Sequence, residues 1–388
     1  MRMIPVVVVF LLTVLTKSSH CSVPFVINPG CDLPECLLPG YPAIFYAYHY
    51  LADVTIHILY SSLDELTISI IQTKKGYGPH LNYTALFSGN YSGAISFADT
   101  VPLNSFSLIA RRLMQFDDKN DTGILNENDA SIQSYWLNDL HTNLTRDNKN
   151  VTQPSFQLPL KNITGLLTID INYPGEDTRD TKFPKLRSSP KSYFLNIALQ
   201  ADNITSKNTR FAMEYYLIQL GVEGTQLSTS KYIDDQYTPG IFNVWQIKSR
   251  SPIYSSSMLW KPVVYQSADR SIEKNTLMTV YDLKNNISLD QSIDQGIFKA
   301  LYNKTYVSAF NVSLGRANDG FFVKSNYSFI QFTAGLDILE MDSIKQFVTL
   351  ALVFSLLLPC LVAFIALIFI MKRRCSRSNT AGYDAIDD

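Results

Sequence analysis

The chain has 388 residues and a formal net charge of −1, with 17% charged and 12% aromatic side chains. This balance excludes the basic footprint of a nucleic-acid binder and the low-aromatic composition of a disordered stalk. The length left after the two apolar ends exceeds one usual core, so two domains are the first expectation.

In chain order, residues 1–21 read as a signal peptide. Met1-Arg2-Met3 is a short basic start, Ile4 to Leu15 is apolar but too short to span a bilayer, and Ser19 and Cys21 supply small residues for cleavage after Cys21. Next come Cys31 and Cys36, in Cys-Asp-Leu-Pro-Glu-Cys. In an oxidising lumen they could close a small disulfide loop; free thiols are one alternative and a metal site another, though no further Cys/His cluster accompanies them. Of the other cysteines, Cys21 leaves with the leader, Cys360 lies in an apolar run, and Cys375 beside it is open to palmitoylation or inert.

The body then alternates short runs rich in β-branched and aromatic residues with turn clusters. Such runs are Ala43 to Tyr50, Val54 to Tyr60, Leu66 to Thr73, Ser105 to Phe116 and Ile163 to Ile171. After them come Tyr193 to Gln200, Phe211 to Leu220, Ile241 to Ile247, Leu259 to Gln266, Leu277 to Tyr281, Thr305 to Leu314 and Phe321 to Phe332. Strands at this spacing predict sandwiches or barrels. Leu125 to Leu140 is the one stretch with a helical reading, of poor period. Residues 173–191, with Pro174, Gly175, Pro184 and Pro190, break the rhythm and read as a linker or long loop. The expectation is an all-β luminal ectodomain of two β-sandwich-like units, 22–172 and 192–343, plus one C-terminal transmembrane helix.

Asn-x-Ser/Thr acceptors occur at Asn82, Asn90, Asn120, Asn143, Asn150, Asn162, Asn203, Asn286, Asn303, Asn311 and Asn326. All lie before the apolar run, and their number points to selection for a glycan coat that blocks nicking of loops. The transmembrane segment is placed at 344–371. Phe347 to Met371 holds no charge, and Lys372, Arg373, Arg374 and Arg377 follow at once. Length fits a bilayer span, Pro359 is tolerated there, and the basic flank puts residues 372–388 in the cytosol. This is a type I, single-pass topology. In that tail, Gly382-Tyr383-Asp384-Ala385-Ile386 offers an aromatic and an aliphatic anchor, Tyr383 and Ile386, on an extended peptide. Beside a membrane anchor, it reads as an endosome–lysosome sorting signal for clathrin adaptor complexes.

Enzyme readings are weak. Asp121-Thr122-Gly123 matches one half of an aspartic-protease pair, but the chain has no second copy. Asp234-Asp235 are adjacent, and on a strand would point to opposite faces. His49 and His57 fall on neighbouring predicted strands, could approach each other and could sense acidity. No catalytic, cofactor-binding or metal-ligating set is assigned, and N-linked glycans are the covalent additions expected.

Four internal segments carry a resemblance. They are Ile109-Ala110-Arg111-Arg112-Leu113-Met114-Gln115-Phe116-Asp117, Tyr232-Ile233-Asp234-Asp235-Gln236-Tyr237-Thr238-Pro239, Trp260-Lys261-Pro262-Val263-Val264-Tyr265 and Ala309-Phe310-Asn311-Val312-Ser313-Leu314-Gly315. Together and in this order they resemble the glycosylated lysosomal membrane protein family. The chain departs from vertebrate members in having no luminal cysteine in its second half. The resemblance implies a non-enzymatic accessory subunit of a lysosomal major-facilitator transporter that exports dipeptides. Such a subunit would protect the transporter from luminal proteases and help it reach lysosomes. An independent lysosomal coat or receptor glycoprotein is the alternative, and a luminal hydrolase ranks below both.

Overall fold

A computed structural model of the chain describes residues 22–38, 43–97, 101–138, 150–160, 163–220, 225–231, 237–241, 243–249, 251, 253–285, 287, 297–302, 306–340 and 346–378. The predicted signal peptide, Asn143, Asn162, Asp234, Asp235, Asn286, Asn303, Tyr383 and Ile386 lie outside the described residues.

The ectodomain is all-β. Two large antiparallel sheets face each other. Along the first, the strands follow the order Thr279–Val280, Tyr306–Ser313, Thr209–Gln219, Asn104–Asp117, Leu66–Lys74, Val54–Ser61, Ile44–Tyr50, Phe25–Ile27 and Asn150–Val151. The second runs Ser155–Leu160, Thr164–Asn172, Ser192–Asp202, Tyr327–Gly335, Ser257–Trp260, Asn243–Ser249 and Thr225–Lys231. Alternation decides which side chains meet between them. Leu66, Ile68 and Ile70 point inward from the first sheet, and Leu195, Ile197 and Leu199 from the second, into one shared core. Aromatic rings bridge the layers: Tyr60 meets Phe156 with centroids 4.7 Å apart, and Trp260 stacks on Phe310 at 5.7 Å.

The outer faces are covered as well, which is why these strands read as almost continuously apolar. The first sheet carries a flap made from strand Pro79–Leu81, helix Tyr83–Phe87 and strand Ile95–Phe97, whose Tyr83, Leu86, Ile95 and Phe97 pack on Ile44, Leu59 and Ile71.

The structure adds detail to three expectations. Both sheets take strands from both sides of 173–191, so the split into 22–172 and 192–343 does not coincide with the sheets. Residues 173–191 form a long loop carrying two two-residue strands. They fold over the outer face of the second sheet, where Leu186 packs on Phe194, Val244 and Leu259. Leu125 to Leu140 shows no helix in its described part. Instead Gln133–Trp136 is a strand paired to Arg112–Gln115, continuing the edge that Leu66–Lys74 leaves at Ala110.

The last ectodomain strand, Tyr327–Gly335, lies in the middle of the second sheet. The chain leaves it, is held by bonds from Ser255 Oγ to the Leu336 carbonyl (2.9 Å) and Gln246 Nε2 to the Leu339 carbonyl (2.8 Å), and reaches helix Gln346–Ser378. Val353–Arg373 of that helix is long and apolar enough to cross a membrane, and the body covers none of it.

Candidate functional site

The strand Asn104–Asp117 carries the most unusual cluster. Its register against Thr209–Gln219 shifts by one residue, with Glu214 opposite Arg112 and Tyr215 opposite Ala110. Arg111 is the extra residue of this bulge. Ala110 and Leu113 stay in the core, and both arginines between them engage Glu214 and Trp136. Arg112 Nε bonds Glu214 Oε2 at 2.7 Å, while Arg111 lies 3.7 Å from the same oxygen and donates to the Tyr216 hydroxyl. The guanidinium carbons of Arg111 and Arg112 stand 5.1 and 5.4 Å from the centre of the Trp136 ring, which is 43% exposed.

Beside them is Glu65, almost fully buried, with Oε2 lacking a hydrogen-bond partner among the described residues. Burial pushes its pKa up to about 7; Arg111 pulls the other way, and the Asp64 and Glu214 charges push with burial. The cluster contains no nucleophile paired with a base. Trp136 is exposed and Arg112 partly so, residue types enriched where proteins contact proteins, while Arg111 and Tyr216 are buried behind them. In the sequence, Arg111-Arg112 is marked only as part of the resemblance segment from Ile109 to Asp117.

The aspartic-protease tripeptide has a structural role. Arg210, 1% exposed, holds three carboxylates: Nε to Asp118 at 2.7 Å, Nη2 to Asp121 at 2.6 Å and Nη1 to Asp319 at 2.8 Å. Asp118 also accepts from the Thr122 and Gly123 amides, and Asp319 from the Arg316 and Phe321 amides. These bonds hold the carboxylates of Asp118 and Asp319 below the usual range, against the opposing effect of their burial. Two glycines make room. A Cβ on Gly123 would stand 2.6 Å from the Ala317 amide nitrogen, and one on Gly315 would stand 2.5 Å from Asp319 Oδ2. Asp121 is thus an ion-pair partner fastening the loop after Asn104–Asp117 to the 315–321 loop.

His49 and His57 do not approach each other's face. His49 pairs with Ile56 and His57 with Tyr48, so they project to opposite sides of the sheet. His57 is fully buried between Tyr46 Oη and Thr73 Oγ1, each 2.9 Å away. Thr73 gives its own proton to the Lys74 carbonyl, so Nε2 of His57 must donate and Nδ1 accept. Burial lowers its pKa to about 4, which keeps the ring neutral in mild acid rather than sensing it.

Three of the resemblance segments prove to be internal fastenings. Lys261 Nζ, buried, donates to Thr238 Oγ1 at 2.6 Å and to the Pro184 carbonyl at 3.3 Å. Trp260 is enclosed by Trp245, Phe310 and Phe332. Cys31 and Cys36 are disulfide-bonded. No group of three or more His, Cys, Asp or Glu among the described residues is arranged to hold a metal ion.

Of the predicted acceptors, Asn82, Asn90, Asn120, Asn203 and Asn326 are exposed. Asn150 begins a two-residue strand. Asn311 differs. It is 6% exposed within strand Tyr306–Ser313, and its Nδ2, the atom a glycan would occupy, donates to Glu127 Oε1 at 2.8 Å.

A double-sheet body bearing exposed acceptors, on the one membrane-length helix among the described residues, defines the class, a single-pass membrane glycoprotein. The family described as glycosylated lysosomal membrane protein matches residues 51–377, and the chain belongs to it. It is 24% identical over 297 residues to the glycosylated lysosomal membrane protein of Danio rerio, covering 73% of this chain and 72% of that protein. It is also 25% identical over 345 residues to glycosylated lysosomal membrane protein B of Xenopus laevis, covering 82% and 83%. The Homo sapiens relative is 25% identical over 227 residues, 54% of each chain. The protein is therefore a glycoprotein of the lysosomal membrane. These relatives are named as membrane proteins and not as enzymes. A putative aldose 1-epimerase from Escherichia coli, 6% identical over 76% of this chain and 100% of its own, has a TM-score of 0.28 and carries no argument.

Proposed function

We propose that this chain is a non-enzymatic accessory subunit that stabilises a lysosomal major-facilitator transporter, shields it from luminal proteases and supports its delivery. One observation carries the reading: the apolar side chains of the membrane helix are uncovered by the body, while the body itself presents exposed glycan acceptors. Such a helix is free to pack laterally, and the body above it can cover a partner's luminal loops. Membrane confinement raises the effective concentration of both partners. Binding the folded partner lowers the population of its cleavable open forms. The exposed Trp136, backed by the buried Arg111 and the partly exposed Arg112, supplies a contact residue of suitable type. The tail brings clathrin adaptor complexes through Tyr383 and Ile386. Asp121 is taken up in an ion pair with Arg210, which weighs against the protease alternative.

The test is loss of the chain from cells. The transporter protein should fall without a fall in its message, and inhibition of lysosomal proteases should partly restore it. Unchanged transporter levels would overturn this reading in favour of an independent coat glycoprotein.

A further inference from the structure

The two ends of the sandwich differ in a way that assigns a second partner. At one pole lie the strand ends Tyr50, Lys74, Asn104, Gln219, Ser192, Ser257 and Gly335, tied together across the sheets. Asn104 Nδ2 bonds the Ser255 carbonyl at 2.8 Å, and Ser255 Oγ bonds the Leu336 carbonyl at 2.9 Å. The chain leaves for the membrane from beside this pole, with Leu339 packed on the outer face of the second sheet against Phe194, Val244 and Leu259. Leu339 is still held by Ser257 Oγ and Gln246 Nε2, and helix Gln346–Ser378 begins seven residues later. Seven extended residues reach about 25 Å at most, which keeps the exit point of the body close to the bilayer.

The same pole gathers exposed apolar side chains from separate loops. Val101 and Ile253 are 79% and 78% exposed, and Tyr50, Leu103 and Ile338 accompany them. In the body no other large hydrophobic is as exposed as Val101 and Ile253 among the described residues. The opposite pole carries acceptors instead. Asn120 follows strand Asn104–Asp117, Asn203 follows Ser192–Asp202, and Asn326 precedes Tyr327–Gly335, all exposed. None of the predicted acceptors falls within the described anchor-pole residues 51–53, 75–78, 101–103, 189–191, 253–256 and 336–340. The charges around it are mixed, with Lys74, Lys75 and Lys191 near Asp53, Asp337 and Glu340, so lipid charge is not the attraction.

We propose that this pole rests on the luminal leaflet, with Val101 and Ile253 reaching the headgroup–acyl boundary of zwitterionic lipid. Aliphatic side chains exposed to water contribute no burial. At the boundary each removes apolar area from water, and the short tether has already supplied the proximity. The attachment holds the glycan-bearing pole away from the membrane.

The experiment uses the full chain in phosphatidylcholine nanodiscs, with Cys360→Ser and Cys375→Ser. Single variants Val101→Cys, Ile253→Cys and Ile124→Cys carry an environment-sensitive nitrobenzoxadiazole label. With acyl chains brominated, emission at 101 and 253 should be lost while emission at 124, 58% exposed at the far pole, is retained. Labels at 101 and 253 that ignore the bromines would overturn the proposal. Blue-shifted emission without bromine quenching also overturns it, and assigns the pole to a protein contact. As a readout free of labels, amide exchange of 101–103 and 253–256 in the unmodified chain should be slower in nanodiscs than in amphipol, and equal rates would count against it. None of these outcomes depends on the transporter, so this proposal and the accessory-subunit reading can fail separately.

Discussion

His57, on strand Val54–Ser61, and Glu65, in the turn that follows it, set opposite pH dependences. His57 has its pKa lowered from 6.5 to about 4, so the unfolded chain binds the proton first, and stability is lost as pH falls through that window. Glu65 is raised from 4.5 to about 7, so the folded state keeps its proton longer; its contribution is full below 4.5 and lost as pH rises through about 7. Between 4.5 and 6.5 the two slopes oppose, each at up to about 1.4 kcal/mol per pH unit. Glu65→Gln should leave the histidine slope uncompensated, so its melting temperature should drop more steeply than the parent's on acidification from neutral. Parallel profiles for the two proteins would contradict this assignment. Arg210 makes a second prediction. Removing it strands two buried carboxylates and a third at the rim, so Arg210→Gln should cost about 3–5 kcal/mol in urea unfolding, with Arg210→Lys losing less. A cost under about 1 kcal/mol would mean that Arg210 is not what holds those loops. At Asn311, the bond to Glu127 leaves no room for a glycan, so Asn311→Gln should not change electrophoretic mobility while Asn120→Gln should increase it.

At the scale of elements, the strands were legible because most are buried on both faces and read as apolar runs bounded by turn residues. Val54–Ser61, Leu66–Lys74 and Asn104–Asp117 match the sequence expectation within a residue or two. Leu259 to Gln266 was read as one strand and is two, Ser257–Trp260 and Val263–Tyr265, because Pro262 cannot donate to the ladder. Gln133–Trp136 was hidden because it is four residues long with only Tyr135 buried. The bulge at Arg111 and the carboxylates around Arg210 were not legible. They depend on residues about a hundred positions away, which local pattern does not relate. The membrane helix was legible from its length alone, and it runs on to Ser378, past the predicted limit. For the tail, Tyr383→Ala or Ile386→Ala should move steady-state protein to the cell surface. Lysosomal arrival of both variants at parental levels would place the address in the ectodomain or a partner.

For the whole molecule, strand pairing crosses the expected boundary at 173–191. Thr209–Gln219 lies against Asn104–Asp117, and Ser192–Asp202 against Thr164–Asn172, so each sheet is closed by strands from the other half. The exposed acceptors bear on lifetime at this scale. Single Asn→Gln changes at Asn82, Asn90, Asn120, Asn203 or Asn326 should do little, because neighbouring glycans overlap. Removing all five should shorten half-life in lysosomes and not in the endoplasmic reticulum. Half-lives insensitive to lysosomal protease inhibitors would argue against shielding.

The position of strand Tyr327–Gly335 also sets a schedule for synthesis. A nascent chain enters the lumen from its N-terminal end, yet this strand, between Ser192–Asp202 and Ser257–Trp260, is nearly the last luminal piece to arrive. Until it does, the two halves of the second sheet have nothing between them, and the shared core stays open on that side. The sandwich can therefore close only when the anchor is itself entering the membrane. Acceptor sites upstream remain within reach of the glycosylating machinery for almost the whole of translocation, and a ribosome that stalls before Tyr327 leaves a chain with no way to finish folding.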